Sequence, residues 1–421
     1  MDEEGRTKMK SHKARKALWW ILGFLLAGFV ILAVDGLISP DGKSNPYSSI
    51  LLDAEMEVSV NSVQRLDESG NLYYMECTED YDRQIFRKVF NLTSRIQYTG
   101  CSAFLAETPD GDIAVGRNYD LPHKDKNGEI TGLNVVVHIP AKDGKYETIA
   151  MADACWFTYI GMNYVGGALD DGKTNRTMLA LLPYFCMDGM NEKGLTATIL
   201  ALYTKEGESP TEQSDEGKDS TVITVLLRDI LDNCADVQEA VEFAESVNMK
   251  ALLGLDYHLF VTDASGVSAV FEWRYDTLKV TYTDAVTNFY VGYDDAADMI
   301  LHGQLKETFD GPAETKKTYH YGFGHGYGRF NTIVSTLDQA SDGGIAVLDK
   351  EGIFDLLGNV FQVYTDELSS YTQYSVMYNS TKLSLTVSPM MRTGERYIFN
   401  IHGEAYESLQ PEYDINREPV A

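Results

Sequence analysis

The stretch CSAFLAETPDGDIAVGRNYD, residues 101–120, decides the fold of this chain. It predicts a β-hairpin, because two strand-like runs flank the turn sequence PDGD at 109–112. A loop centred on the Asp-Gly pair places Cys101 opposite Asp120, with Cβ atoms roughly 5 Å apart. A thiol, a carboxylate and the nearby Arg117 are therefore expected at the open end of one hairpin.

The directions of Arg117 and Asp120 do not follow from simple pleating. Their numbers differ by an odd value, so strict alternation sends the two side chains to opposite faces. Both reach Cys101 only if the strand bulges or turns, and Gly116 is the expected place. The alternative is a buried structural cysteine on a hairpin that carries an Arg–Asp salt bridge. The hairpin alone leaves both interpretations open.

Further motifs follow in order along the chain: DGMNEKGL at 188–195, DYHLFVTDASGVSAVFEW at 256–273, VTN at 286–288, YGRF at 327–330 and TQYSVMY at 372–378. Together with the hairpin they resemble the choloylglycine hydrolase family, the bile salt hydrolases and penicillin V acylases, which are N-terminal nucleophile (Ntn) hydrolases. In that family Arg follows the nucleophilic Cys by sixteen residues and Asp follows it by nineteen, spacings that Cys101, Arg117 and Asp120 keep.

The resemblance covers the chain from Cys101 to about residue 400 and implies an α+β fold, the four-layer αββα sandwich. It implies that Cys101 attacks an amide carbonyl to form a thioester. Arg117 would favour the thiolate, because a neighbouring cation lowers a thiol pKa. Asp120 would orient the reacting amine.

Two more residues take their expected roles from the resemblance. Asn288 in VTN would donate its side-chain amide to the oxyanion, a contact whose loss typically costs about 10²–10³ in rate. Arg329 in YGRF would brace the network. Without the resemblance, residue type favours a turn residue for Asn288 and a surface charge for Arg329.

One position departs from the family pattern. Where the family has Asn or Tyr ten residues after the motif Asn, this chain has Ala201. Alanine still offers a backbone N–H to an oxyanion hole, but it lacks the side chain that contacts the substrate. The substrate is therefore not carried over from bile salt hydrolases or penicillin acylases.

The position of Cys101 inside the chain makes processing a requirement. In Ntn hydrolases the α-amino group of the nucleophile is the general base, and its unperturbed pKa is about 7.7–8.0. Activity of this kind therefore requires cleavage between Gly100 and Cys101. Gly100 has no Cβ, which would let the thiol approach the preceding carbonyl. We expect self-cleavage by an N-to-S acyl shift, with residues 36–100 as linker and pro-segment and 101–421 as the hydrolase domain.

The N-terminus predicts a membrane anchor. Residues 1–16 are rich in Lys and Arg, and residues 17–35 form an apolar run. Its eighteen uncharged residues make a helix about 27 Å long, close to the thickness of a bilayer core. The basic flank predicts a single-pass protein with a cytoplasmic N-terminus and an extracytoplasmic catalytic domain. A cleaved signal peptide, giving a secreted protein, is the alternative.

Three other regions give expectations for local structure. Residues 56–77 predict two strands about an Asp67–Asn71 turn, which we expect to fold with the main domain. Residues 220–247 predict two amphipathic helices, with Asp236 capping the second. The Gly-rich segment at 321–330 predicts a mobile loop near the site.

Composition and motif chemistry exclude several partners. With 35 basic and 63 acidic side chains, the net charge of −28 argues against nucleic acid. Residues 167–174 satisfy the phosphate-loop pattern, but Asp170 and Asp171 inside it would repel phosphate, so no nucleotide is expected. No cofactor is expected, and no metal, because the eight His show no metal spacing and the five Cys contain no CxxC pair.

Three hypotheses follow. The favoured one is a membrane-anchored, self-processing amidase acting on a small N-acyl compound, and acyl transfer is a variant because an amine can capture the same thioester. The second is a non-catalytic surface protein that binds an acyl ligand or a partner, supported by Ala201 and the long segment before Cys101. The third, a tethered nucleotide hydrolase, is disfavoured by the acidic loop. The sequence leaves the oligomeric state undetermined.

Overall fold

A computed structural model describes residues 54–78, 100–124, 129–156, 169, 179–204, 207–252, 254–293, 326–362 and 371–405. The chain divides into two compact units, Met1–Ala54 and Glu55–Ala421, and the elements below concern the second. The predicted anchor at 17–35 and most of the phosphate-loop pattern lie outside the described residues. Among the residues that are described, no helix is both long enough and apolar enough to cross a bilayer.

Two antiparallel-rich sheets form the centre of the second unit. One sheet has nine strands in the order β1-β2-β5-β6-β7-β8-β11-β12-β13, and the other has six in the order β14-β3-β4-β15-β16-β17. The strands in chain order are β1 Gln64–Arg65, β2 Leu72–Glu76, β3 Gly100–Glu107, β4 Ile113–Asp120, β5 Asn134–Ile139, β6 Thr148–Asp153, β7 Cys186–Asn191, β8 Thr196–Leu202, β9 Ser220–Val222, β10 Asn248–Lys250, β11 Asp256–Thr262, β12 Ser268–Arg274, β13 Thr277–Tyr282, β14 Ala285–Val286, β15 Thr372–Asn379, β16 Ser384–Pro389 and β17 Tyr397–Asn400.

Helices cover the outer faces of both sheets. A first pair packs on the nine-stranded sheet and a second pair packs on the six-stranded sheet. Because Gly189 faces a helix while Asp188 beside it faces the other sheet, the two sheets meet between the helical layers. The layers therefore run helix, sheet, sheet, helix. The helices are α1 Ala54–Asn61, a short 3-10 helix Leu182–Phe185, α2 Ile223–Asn233, α3 Val237–Glu245, α4 Tyr327–Ala340 and α5 Lys350–Asn359.

The hairpin forms as expected, but its register differs by one residue. Cys101 lies opposite Tyr119, and Gly100 lies opposite Asp120. The turn is longer than a two-residue loop, because the Thr108 N–H donates to the Asp112 carbonyl at 2.8 Å and Gly111 takes a left-handed φ of 84°. A three-residue loop closed by a left-handed glycine shifts the pairing of every residue beyond it. The expected Cys101–Asp120 pairing was therefore wrong.

The bulge near the site also lies elsewhere than expected. The register of β15 against β4 shifts between Thr372 and Tyr374, opposite Asp120, and not at Gly116. Gly116 instead leaves room for Phe104, whose ring carbon would lie 2.5 Å from a Cβ at that position. Gly116 therefore serves the packing of Phe104. The bulge itself lies in the partner strand β15.

Of the three remaining local expectations, one is confirmed and two were wrong in part. The two amphipathic helices are present as α2 and α3, and the Asp236 side chain accepts from the Glu239 N–H, as expected. The first half of 56–77 was wrong, because its residues belong largely to α1 and only Gln64–Arg65 pair with β2. The loop expected at 321–330 was also wrong in its last part, because α4 begins at Tyr327.

Candidate active site

Cys101 is the second residue of β3 and is 2% exposed. The neighbouring strand β14 ends before it, so the backbone of Cys101 is held by side chains. Its N–H donates to Asn288 Oδ1 at 2.8 Å, and its carbonyl accepts from Arg329 Nη1 at 2.6 Å. Both backbone polar groups of Cys101, its N–H and its carbonyl, are therefore held by side chains.

Asn288 and Arg329 also contact each other. Arg329 Nη2 donates to Asn288 Oδ1 at 2.7 Å, and Asn288 Nδ2 donates to the Ala201 carbonyl at 2.8 Å. The expected donation of Asn288 to an oxyanion is therefore directed to Ala201 in the intact chain. Since N–H and C=O of one strand residue point to the same edge, the Ala201 N–H faces the side where Asn288 lies.

Arg117 is buried between the two sheets, at the point where β7 and β8 separate. Their ladder ends with Asp188 opposite Thr198, and beyond it Arg117 Nη2 donates to the Ile199 carbonyl at 2.8 Å and to the Met187 carbonyl at 3.4 Å. The guanidinium therefore replaces the missing bonds of that ladder.

Asp188 holds the guanidinium in this place. Arg117 Nε lies 2.5 Å from Asp188 Oδ2, and the carboxylate also accepts hydrogen bonds of 2.6 Å from the hydroxyls of Tyr374 and Tyr378. Burial lowers the pKa of Arg117, but Cys101 and Asp188 more than offset this and raise it above its ordinary value. Arg117 is a permanent buried cation beside the thiol.

The thiol of Cys101 is less acidic than the sequence suggested. Burial raises its pKa, Arg117 lowers it, and Asp120 raises it again, so that the pKa lies above the ordinary thiol value. The expectation that Arg117 would favour the thiolate is correct in sign for that one interaction. Desolvation outweighs it in the intact chain, so Cys101 is a protonated thiol at neutral pH.

Asp120 lies opposite Gly100, beside the Gly100–Cys101 peptide, without facing Cys101 directly. Its Oδ1 accepts from Thr372 Oγ1 at 2.6 Å, and its Oδ2 lies 3.4 Å from Arg329 Nη1. Burial raises the pKa of Asp120, although Arg329, Thr372 and Arg117 each lower it. The structure therefore brings Cys101, Arg117, Asp120, Asn288 and Arg329 together, with Ala201 bound through Asn288.

Four neighbouring residues escaped the sequence reasoning. Asp188, Thr372 and Tyr257 lie within segments that carried the resemblance, but their contacts with Arg117, Asp120 and Ala201 cannot be seen in a motif. Gln362, which lies against Gly100, gave no signal in the sequence. All five cysteines are buried free thiols, and among the described residues no group of three or more His, Cys, Asp or Glu could hold a metal ion.

A comparison of the sequence with models of known protein families gives a match that includes the candidate nucleophile. The model of the linear amide C–N hydrolases, choloylglycine hydrolase family, matches residues 101–288, which begin at the candidate nucleophile and end at Asn288. This stretch of the chain is therefore similar to the choloylglycine hydrolase family. The protein is accordingly a hydrolase of linear amides, carbon–nitrogen bonds other than peptide bonds.

Solved structures of the family are similar to this chain. Two variants of the conjugated bile acid hydrolase from Clostridium perfringens each give a TM-score of 0.47 at 19% identity, covering 75% of this chain and 99% of theirs. Penicillin V acylase from Agrobacterium tumefaciens gives a TM-score of 0.43 at 17% identity, covering 71% of this chain and 86% of its own. No curated protein matched the sequence.

Proposed function

We propose that this protein is a self-processing cysteine Ntn hydrolase that cleaves the linear amide of an N-acyl substrate through a thioester. The observation that supports this most directly is the treatment of Cys101. Its N–H and carbonyl are held by Asn288 and Arg329, while Arg117 and Asp120 act on its thiol. A structural cysteine needs none of these contacts.

The first reaction would be self-cleavage. The Cys101 sulfur bonds to the Gly100 carbonyl carbon, the C–N bond breaks, and the thiol proton passes to the departing nitrogen. Water then hydrolyses the thioester, which leaves a carboxylate on Gly100 and a free α-amino group on Cys101. The product carries the base that the intact chain lacks, since such an amine has a pKa of about 7.7–8.0.

The second reaction would use that amine on an external amide. The amine takes the thiol proton, the sulfur attacks the substrate carbonyl, and the amine returns the proton to the leaving group. Arg117 stabilises the thiolate, Asp120 orients the amine, and the Ala201 N–H and Asn288 Nδ2 lie at the edge where an oxyanion would form. Water or an amine then captures the acyl group, so acyl transfer is a variant of the same chemistry.

The intact mass of the purified chain tests the proposal. We expect a break after Gly100 in the wild type and none in Cys101→Ala. Cys234→Ala is the matched control, because Cys234 is also a free thiol at 2% exposure but lies at the end of α2. Cleaved wild type should then gain an acyl adduct at Cys101 with an N-acyl 4-nitroanilide. Wild type that stays intact and takes up no acyl group would favour a non-catalytic acyl-binding protein.

The cellular location is a separate part of the proposal. We propose that residues 17–35 anchor the chain in a membrane, with residues 1–16 cytoplasmic and the hydrolase domain outside, on the strength of the apolar run and its basic flank. Carbonate extraction of membranes should leave the pro-segment in the pellet. Recovery of a chain that lacks residues 1–35 in the medium would support the signal-peptide alternative instead.

A further inference from the structure

Gly100, whose carbonyl would be attacked in self-cleavage, packs against the side-chain amide of Gln362. A Cβ at this position would lie 2.2 Å from Gln362 Nε2 and 2.6 Å from Gln362 Cδ and Oε1. Gly100 is not among the residues with positive φ, so its backbone would accept any residue. A side chain at this position would therefore have to displace the Gln362 amide, which fills the space beside Gly100.

The position of Gln362 is fixed by the same residues that hold the site. Its side chain is only 6% exposed. Its backbone N–H donates to Thr372 Oγ1 at 3.0 Å, and its carbonyl accepts from the Thr372 N–H at 2.9 Å. Thr372 donates in turn to Asp120, and Asp120 pairs with Gly100 in the sheet. The contacts therefore form a closed ring that runs from Gly100 through Asp120 and Thr372 to Gln362 and back to Gly100.

We propose that Gln362 is a positioning residue for self-cleavage, holding Gly100 so that its carbonyl carbon stays within reach of the Cys101 thiol. The inference rests on the proposed self-processing. Cys101 is fixed from one side by Asn288 and Arg329, and Gln362 fixes the other partner of the reaction. Attack requires both atoms in a near-attack geometry, and a misplacement of about 1 Å can cost 10²-fold in rate.

The experiment follows self-cleavage of the full-length chain in a cell-free translation, by mass, against time. We expect Gln362→Ala to slow cleavage about 100-fold, since Gly100 then moves freely. Gln362→Met keeps the volume that packs on Gly100 and is expected to stay within about tenfold of wild type. Gln213→Ala removes a similarly buried glutamine at a distant position and is expected to cleave normally.

A double variant separates positioning from simple space. Gly100→Ala should slow cleavage and lower the thermal midpoint, because its Cβ forces the Gln362 amide out of its place. Gly100→Ala with Gln362→Ala should recover the midpoint but remain slow. A double variant that cleaves at the wild-type rate would overturn the proposal, because glycine would then serve only to avoid the collision.

The remaining outcomes distinguish this inference from the function on which it rests. Wild-type cleavage with an equally fast Gln362→Ala contradicts the role of Gln362 and leaves self-processing intact. A wild type that never cleaves contradicts both. If Gln362→Ala does not fold, Gln362→Asn decides, since it withdraws the amide by one methylene. It is expected to be about tenfold slow, and a wild-type rate would reject the proposal.

Discussion

At the scale of single residues, the site depends on side chains that satisfy backbone groups left free by the sheets. Arg117 donates hydrogen bonds to the carbonyls of Met187 and Ile199 where β7 and β8 separate. Asn288 donates to the carbonyl of Ala201 further along the same edge of β8. Buried carbonyls without partners are costly, so these residues stabilise the separated strands at the same place where Cys101 lies.

Tyr257 gives a prediction at this scale. It lies opposite Ala201, is 7% exposed, and its hydroxyl has no hydrogen-bond partner among the described residues. Burial, and then the nearby Cys101 thiol when it ionises, raise the pKa of Tyr257. Because a buried hydroxyl without a partner is costly, we expect Tyr257→Phe to raise the free energy of unfolding by about 1–3 kcal/mol.

Tyr378→Phe is the matched comparison for urea unfolding. Its hydroxyl donates to Asp188 at 2.6 Å, so the same change should cost about 1–3 kcal/mol. Equal losses in the two variants would mean that the Tyr257 hydroxyl does have a partner in the folded chain.

At the scale of elements, the start of α4 places Arg329. The helix begins after Gly326, which has a left-handed φ of 90°, and Arg329 lies in the first turn. A Cβ on Gly326 would lie 2.9 Å from Arg329 Nη2 and 2.8 Å from Thr287 Oγ1. The glycine therefore supplies both the sharp entry into the helix and the space for the guanidinium.

Gly326→Ala is expected to displace Arg329 from the Cys101 carbonyl and to slow self-cleavage by about 100-fold, measured by intact mass. Gly343→Ala is the matched control, because its φ of 85° carries the same strain while nothing lies within 4 Å of a Cβ there. Both variants should lose about 1–2 kcal/mol from backbone strain. If both cleave at the wild-type rate, the glycine does not position Arg329.

At the scale of the whole molecule, the segment 54–78 contributes β1 and β2 to the nine-stranded sheet. β2 pairs in parallel with β5, and Leu72, Tyr73 and Met75 are fully buried. Arg392 near the C-terminus lies 3.3 Å from Asp67. Removing this segment would expose apolar surface and a sheet edge, both of which are unfavourable in water.

We therefore expect the two pieces of the cleaved chain to stay together. They should co-elute in gel filtration under native conditions and separate only in denaturant. A 101–421 piece that elutes alone, folded and active, would contradict this expectation.

The contact between the two pieces should depend on pH. His138 on β5 lies 2.8 Å from Glu76 on β2 and 2.9 Å from Glu147. Burial lowers the pKa of His138, but the two carboxylates more than offset this and raise it above its ordinary value. The stabilisation is therefore complete below about pH 6.5 and is lost as pH rises through the folded-state pKa.

Glu76 has the opposite dependence. Burial raises its pKa, but His138 and Tyr74 bring it below its ordinary value, so its contribution is lost as pH falls through that lowered pKa. The denaturant concentration that separates the pieces should therefore be highest between the two pKa values. His138→Gln should remove the decline on the alkaline side, and an unchanged profile in that variant would exclude His138 as its cause.

What the sequence determined was local. The Asp-Gly turn predicts the hairpin, amphipathic spacing with Asp236 predicts α2 and α3, and the spacing of Cys101, Arg117 and Asp120 carries the family resemblance. These features depend on neighbouring residues, and turn chemistry and side-chain periodicity act over a few positions. The candidate site residues followed from the resemblance, while their contacts did not.

What only the tertiary structure decided depends on residues far apart in the chain. Gln362 packs on Gly100, Asp188 orients Arg117, and β2 joins the main sheet, and no local pattern encodes such pairings. The same holds for the Cys101 thiol, whose pKa rises because burial outweighs Arg117. Burial is a property of the whole packed molecule, so a sequence can name the cation beside a thiol without deciding which effect is larger.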